Sequence, residues 1–237
     1  MVSRFLIVTV VLGALAVAAQ AQTVYSNDFS ANSNGFSTSG RVDLPTTASS
    51  VSPLSTMLGK FANNDFTTLS LSGLNPGGTY SIGFDLFIGG SWDGKNPSFG
   101  QDAWVLRENS SGQVLVNTTF SRINSVGFEQ DYSDATPLGG GVHLAGTGAD
   151  VVSDDPDLYS GYNIYSFGHG VGNPDLTFIA NNQGVASLAF QGFGLQGVDD
   201  EYWAIDNIVV ARRVPEPAAG LLALVALPVA GFVRRRK

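Results

Sequence analysis

Between positions 79 and 88 every second residue is large and apolar: Tyr80, Ile82, Phe84, Leu86 and Ile88. A repeat of two matches an extended strand, whose side chains alternate between faces, and does not align on a helix of 3.6 residues per turn. Burying each of these side chains contributes roughly 1.5–3 kcal/mol, so the face they share must be covered by another layer. The stretch therefore predicts a core strand of a layered sheet. It follows the turn Gly73-Leu74-Asn75-Pro76-Gly77-Gly78, whose residue types favour chain reversal.

The rest of the chain offers more strands and no comparable helical pattern. Runs of alternating or β-branched residues occur at 23–29, 55–61, 66–72, 102–108, 113–120, 162–167, 176–180, 185–191 and 202–211, with Gly, Pro, Asn, Asp and Ser between them. The pair at 102–108 and 113–120 meets at Asn109-Ser110-Ser111-Gly112 and predicts a hairpin. Eight to ten strands without intervening helices predict an all-β, antiparallel β-sandwich. In the last strand the apolar phase changes between Ile205 and Ile208, which predicts a bulge beside Asp206. Residues 127–161 break into glycines, acids and prolines, and a loop of that length is either functional or poorly ordered.

Both ends of the chain are apolar and stand outside this pattern. Residues 1–21 carry one cation, Arg4, then an apolar stretch and the small-residue site Ala19-Gln20-Ala21, the layout of a secretory signal peptide cut after Ala21. An uncleaved N-terminal anchor is the alternative. Residues 214–237 open with Val214-Pro215-Glu216-Pro217, where two prolines hold the backbone extended. The apolar run 218–233 follows, about 24 Å long as a helix against a hydrocarbon core of about 30 Å. Arg234, Arg235, Arg236 and Lys237 end it. This order resembles the PEP-CTERM sorting signal of exported bacterial proteins. The resemblance implies a transmembrane helix before processing, recognition by an exosortase after passage through the export machinery, and delivery to the cell envelope, surface or extracellular matrix. An ordinary C-terminal membrane anchor is the alternative reading. The expected organisation is a signal peptide at 1–21, a β-sandwich domain at 22–213 and a sorting signal at 214–237.

Charge narrows the partners of the middle segment. Five of the twelve cations lie in the two ends, so residues 22–213 hold 19 acids against 7 bases, a net of −12. Such a surface repels phosphate backbones and anionic lipid, which argues against nucleic-acid binding and leaves divalent cations or neutral ligands. No cysteine is present. An exported domain without disulfides must derive its stability from its core, a bound metal, or both, and thiol chemistry is excluded.

Several short motifs point in one direction. The segment Trp203-Ala204-Ile205-Asp206-Asn207-Ile208 resembles the closing strand of exported bacterial jelly-roll domains. Asn27-Asp28-Phe29 resembles their opening strand, Ser91-Trp92-Asp93-Gly94 one of their loops, and Thr118-Thr119-Phe120-Ser121 one of their strand ends. The resemblance implies a jelly-roll β-sandwich, concanavalin-like in layout, with first and last strands side by side and a structural calcium between them. Carried over residue by residue, it implicates Asp28 and Asp206. The bland reading is that both aspartates cap turns or bind backbone amides.

Trp92 and Asp93 form a second candidate, with Asp85, Asp102 and Trp104 near them in sequence. An exposed ring stacks on the apolar face of a sugar while carboxylates and amides take its hydroxyls. Packing of Trp92 within its loop is the alternative, and Trp104, inside a strand, reads as core. Asp154, Asp155 and Asp157 lack the spacing of a calcium-binding loop and read as a solvated acidic segment. His143 and His169 have no partner at a telling spacing, and Glu108, Glu129 and Glu201 stand isolated, without the paired glutamates of sandwich glycosidases. The expected function is thus a non-catalytic surface or matrix protein that binds exopolysaccharide. An enzyme acting on extracellular polysaccharide and a purely structural adhesion or assembly module are the alternatives.

Overall fold

A computed structural model describes residues 21–39, 57–132, 141–152, 161–168 and 176–213. Residues 1–20 of the expected signal peptide and all of the expected sorting signal at 214–237 lie outside the described residues, as do Asp154, Asp155, Asp157 and His169. The chain from Gln22 to Arg213 forms one compact unit.

Its described residues form twelve strands and no helix: β1 (Gln22–Asn27), β2 (Phe36–Ser39), β3 (Leu58–Phe61), β4 (Phe66–Leu71), β5 (Thr79–Gly90), β6 (Ala103–Glu108), β7 (Gln113–Thr119), β8 (Val151–Val152), β9 (Tyr162–Phe167), β10 (Thr177–Ile179), β11 (Ala186–Phe193) and β12 (Glu201–Arg212). Seven belong to one sheet in the order β1-β12-β5-β9-β8, with β10 also on β5 and β3 also on β12. The other five run β2-β4-β11-β6-β7. Every pairing is antiparallel.

The alternation in β5 does what its period requires. Tyr80, Ile82, Phe84, Leu86 and Ile88 are all buried in the main core, while Phe87 faces a smaller cluster with Met57, Ile164, Tyr202 and Ala204. Phe84 shows how the sheets meet. Its ring stacks on Phe167 of its own sheet at 5.0 Å and meets Trp104 at 5.5 Å and Phe190 at 5.6 Å from the other. Aromatic pairs at such spacings add about 0.5–1.5 kcal/mol each beyond area burial.

The bulge expected in the closing strand is present. Asp206 pairs with Asp85 and Val209 with Gly83, so Asn207 and Ile208 together oppose Phe84. Asn207 takes a positive φ of 51°. The shift lets Trp203 and Ile205 on one side of it and Ile208 and Val210 on the other all enter the core.

Two sequence expectations need correction. β2 was not anticipated, because four residues, Phe36-Ser37-Thr38-Ser39, are too few to show a period. Residues 127–161 are also more than a bare loop. Gln130 bridges to His143, and Val151–Val152 adds β8 to the seven-stranded sheet. Buried Gln130 organises this region: Oε1 accepts from Ser121 N–H and Gly146 N–H at 3.1 Å each, and Nε2 donates to Tyr132 O at 2.6 Å and Thr147 O at 3.0 Å. A loop held by one side chain's hydrogen bonds leaves no hydrophobic period to read.

Candidate functional site

Two crossovers between the sheets converge at one end of the molecule. The chain leaves β5 at Gly90 and enters β6 at Ala103, and it leaves β11 at Phe193 and enters β12 at Glu201. Gly90 and Glu201 are register partners, and Ser91 N–H donates to Asp200 O at 2.9 Å, which ties the two loops together. The first loop carries Ser91-Trp92-Asp93-Gly94 and ends at Asp102. Gly94 has a φ of 65°, and a Cβ there would run into the Glu129 carbonyl oxygen, so only glycine suits this corner.

This convergence places three acids together. One carboxylate oxygen from each of Asp93, Asp102 and Glu201 lies within 4.8 Å of the others. All three are buried, at 5%, 1% and 0% exposure. Asp102 Oδ2 accepts from Asp93 N–H, and Glu201 Oε2 accepts from Gln196 N–H at 2.7 Å. Glu201 Oε1 accepts from no N–H or O–H among the described residues, and the Glu201 and Asp102 carboxyls lie within hydrogen-bonding reach of each other. Burial first, then the charge of Glu201, pushes Asp102 up to about 8. Burial also raises Glu201, to about 7, against the pull of the Gln196 N–H, with Asp93 and Asp200 adding to the rise. Asp93 is raised by burial and by Asp200. A charged carboxylate in such a place is costly unless a proton or a cation compensates it.

A second feature lies further along β12. The strands β1 and β12 pair side by side, with Asn27 opposite Ile208, as the resemblance implied for first and last strands. Beside them is an open groove of about 550 Å³ lined by Tyr25, Asn27, Asp28, Asn32, Asn34 and Asn207 among others. Tyr25 is half-buried, and its hydroxyl donates to Asn34 O at 2.6 Å and accepts from Asn27 Nδ2 at 3.2 Å. Asn27 Oδ1 accepts from Phe29 N–H at 2.8 Å and Asn32 Oδ1 from Asn34 N–H at 3.0 Å. These bonds fix the curve of the loop and orient its amides.

Of Asp28 and Asp206, the sequence candidates for calcium, Asp28 lines this groove and Asp206 is buried next to Asn207, which lines it. Asp28 Oδ1 accepts from Ser30 Oγ at 2.7 Å and Ser30 N–H at 3.1 Å, which holds its carboxyl below the usual range. Asp206 is buried and accepts from Asn207 N–H at 2.7 Å. Burial, with Asp85 and Asp28 contributing, raises it to about 7 against the pull of that N–H. Asp85 in turn accepts from Ser166 Oγ at 2.7 Å and Asn207 Nδ2 at 2.8 Å. Among the described residues, Asp28 and Asp206 belong to no group of three carboxylates that closes around a point.

Trp92 is not the exposed platform that its loop position suggested. It is fully buried, its Nε1 donates to Tyr202 O at 3.1 Å, and its ring meets Phe120 edge-on at 6.2 Å. The tryptophan packs inward because its loop folds back across the end of the sandwich. Trp104 is core, as read. Glu108 closes the β6–β7 hairpin, accepting from Ser110 N–H, Ser111 N–H and Ser111 Oγ. Glu201 stands isolated in the sequence because its partners are about 100 positions away, and no sequence motif named above includes Tyr25, Asn32 or Asn34. Their signal is the recurrence of asparagine at the end of β1 and in the loop after it, at Asn27, Asn32 and Asn34.

No family model matches the chain, and none of the curated proteins is similar to it. Solved structures similar to it include the CBM22-1-GH10 modules of Clostridium thermocellum xylanase 10B complexed with xylohexaose, at 9% identity and a TM-score of 0.35 over 83% of this chain and 29% of that one. Another is the module CBM6cm-2 of Cellvibrio mixtus lichenase 5A in complex with cellotriose, at 12% identity and a TM-score of 0.32 over 81% of this chain and 99% of that one. A third is the CBM2 module of the evolved Dit of Lactobacillus casei BL23 phage J-1, at 10% identity and a TM-score of 0.42 over 84% of this chain and 99% of that one.

Proposed function

We propose that this chain is an exported, non-catalytic protein of the bacterial surface or extracellular matrix, with a jelly-roll domain that binds neutral polysaccharide. In this reading the Pro215-Glu216-Pro217 turn and the apolar run after it direct an exosortase to remove the tail from the membrane. The observation that carries the binding reading is the groove between β1 and its following loop. It combines a half-buried tyrosine with four asparagines and one ionised aspartate. A tyrosine ring offers an apolar face for a pyranose, amides both donate to and accept from its hydroxyls, and a carboxylate accepts from them. The Asn34 side-chain amide and Asn32 Nδ2 have no hydrogen-bond partner among the described residues, so they are open to a ligand. The net charge of −12 over residues 22–213 favours a neutral glycan over an acidic one.

Affinity electrophoresis of the purified protein through gels containing neutral or anionic polysaccharides tests this. Retardation by at least one neutral glycan is expected, reduced at least tenfold in Tyr25→Ala and in Asn34→Ala. Retardation that survives both substitutions moves the site elsewhere, and none with any glycan defeats the reading.

A further inference from the structure

The buried acids at the crossover end answer to a different ligand from the groove. Asp93, Asp102 and Glu201 offer only oxygen, within 4.8 Å of one another. Glu201 is wholly buried, with Oε2 anchored on the Gln196 N–H; Oε1 accepts from no N–H or O–H among the described residues, and the carboxyl within hydrogen-bonding reach of Glu201 is that of Asp102, another acid. A buried acceptor is rarely left so, because the lost hydration is not recovered. The charge set against the three from the next residue is also negative, that of Asp200. Lys95, in the same loop, directs its ammonium to Asp131 at 2.7 Å and to Gly141 O at 3.2 Å.

We propose that Asp93, Asp102 and Glu201 bind a calcium ion that clamps the β5–β6 crossover to the start of β12. The donors are hard oxygens, which suits calcium or magnesium and disfavours metals that prefer nitrogen or sulfur. Calcium binds oxygens at about 2.3–2.6 Å, so its ligands lie at most about 5 Å apart, and the triad falls inside that limit. Magnesium sheds its water reluctantly and demands near-octahedral geometry, whereas these carboxylates are at most 5% exposed. Three carboxylates leave the remaining coordination positions to backbone carbonyls or water. The ion would neutralise charges that the fold otherwise sets against one another. It would also supply, to a chain without cysteine, a link between segments about 100 residues apart. This site is separate from the Asp28 and Asp206 pair, which lies about 16 Å away along β12 at roughly 3.3 Å per residue.

Each of the three acids is within two residues of a tryptophan: Trp92, Trp104 or Trp203. Terbium, a luminescent stand-in for calcium, would therefore be excited through indole. The test uses the full-length protein in mild detergent, stripped with a chelator. Calcium at about a hundredfold over its Kd is expected to raise the melting temperature by roughly 5–10 °C, and terbium to show indole-sensitised emission that calcium displaces. Asp102→Asn and Glu201→Gln, which keep side-chain size, should each abolish the thermal shift and the emission, while Asp206→Asn keeps both. No shift and no emission in the unsubstituted protein overturns the proposal. So does a shift that survives Asp102→Asn and Glu201→Gln but is lost in Asp206→Asn, since the ion would then sit between β1 and β12. A response to magnesium equal to that for calcium overturns the choice of ion. Glycan retardation in the chelated protein is scored separately, so failure here leaves the groove reading standing.

Discussion

Replacing Trp92 with alanine separates a ligand platform from a core residue. The ring is fully buried, packs edge-on against Phe120, and donates its indole N–H to Tyr202 O across the crossover loops. Truncating a buried tryptophan costs about 3–5 kcal/mol through lost transfer free energy and the cavity left behind. Of that, about 0.5–1.5 kcal/mol belongs to the hydrogen bond. For a chain of this size each kcal/mol moves the melting temperature by roughly 2–4 °C, so Trp92→Ala should melt about 6–20 °C lower. Trp92→Phe restores much of the packing but not the donor, and should recover more than half of the loss. Urea denaturation followed by far-ultraviolet circular dichroism measures this. The midpoint should fall while the slope stays unchanged, because the surface exposed on unfolding is nearly the same. Neutral-glycan binding, assayed well below the transition, should persist. A Trp92→Ala variant within about 1 kcal/mol of the parent that has nonetheless lost glycan binding would refute the buried placement and restore Trp92 as a platform.

Three further outcomes follow from the same geometry. Asp206 is raised to about 7 chiefly by burial, so the folded state holds its proton more tightly than the unfolded chain does; its stabilisation is complete below about pH 4 and is lost as the pH rises through 7. In chelator, the melting temperature should therefore decline from about pH 4 to pH 8, with Asp102 and Glu201, also raised by burial, adding to the Asp206 contribution, and Asp206→Asn should make the decline between about pH 4 and 7 shallower; an unchanged slope in the variant counts against the burial of this carboxyl. Gly94→Ala should cost about 2–5 kcal/mol, since it combines a positive φ with a clash on the Glu129 carbonyl and a contact of 2.8 Å to Ser121 Cβ; a variant of parental stability would show that the loop does not pack as described. For the sorting reading, Glu216→Ala in the producing cell should leave an epitope placed after Lys237 attached to the protein, where the parent releases it, and identical release from both would contradict exosortase recognition of this turn.

Much of the architecture was legible in local pattern. The alternation from Tyr80 to Ile88 places five side chains in the core because a period of two has only one structural meaning at that length. The phase slip between Ile205 and Ile208 disclosed a bulge, since a strand buried on one face cannot change phase without an extra residue. Short or polar segments hid their structure. β2 is four residues long, and the region around Gln130 is held by a buried amide rather than by a stripe of apolar side chains.

The candidate sites were legible only in part, for a reason of distance. Asp28 and Asp206 came from motif resemblance, and the pairing of β1 with β12 does bring them to one junction. Trp92 and Asp93 were noticed for their residue types, but type does not reveal which way a loop folds. Glu201 meets its partners only because the register of Gly90 with Glu201 sets it against a loop about a hundred positions earlier. By itself the sequence determined the class of fold, the acidic balance and the two apolar ends, because these depend on composition and on contacts between near neighbours. Tertiary structure alone decided that Trp92 is core, that three scattered acids share one buried space, and that Tyr25 lines a groove with four asparagines. Antiparallel crossovers set these residues side by side, and no spacing along the chain encodes that meeting.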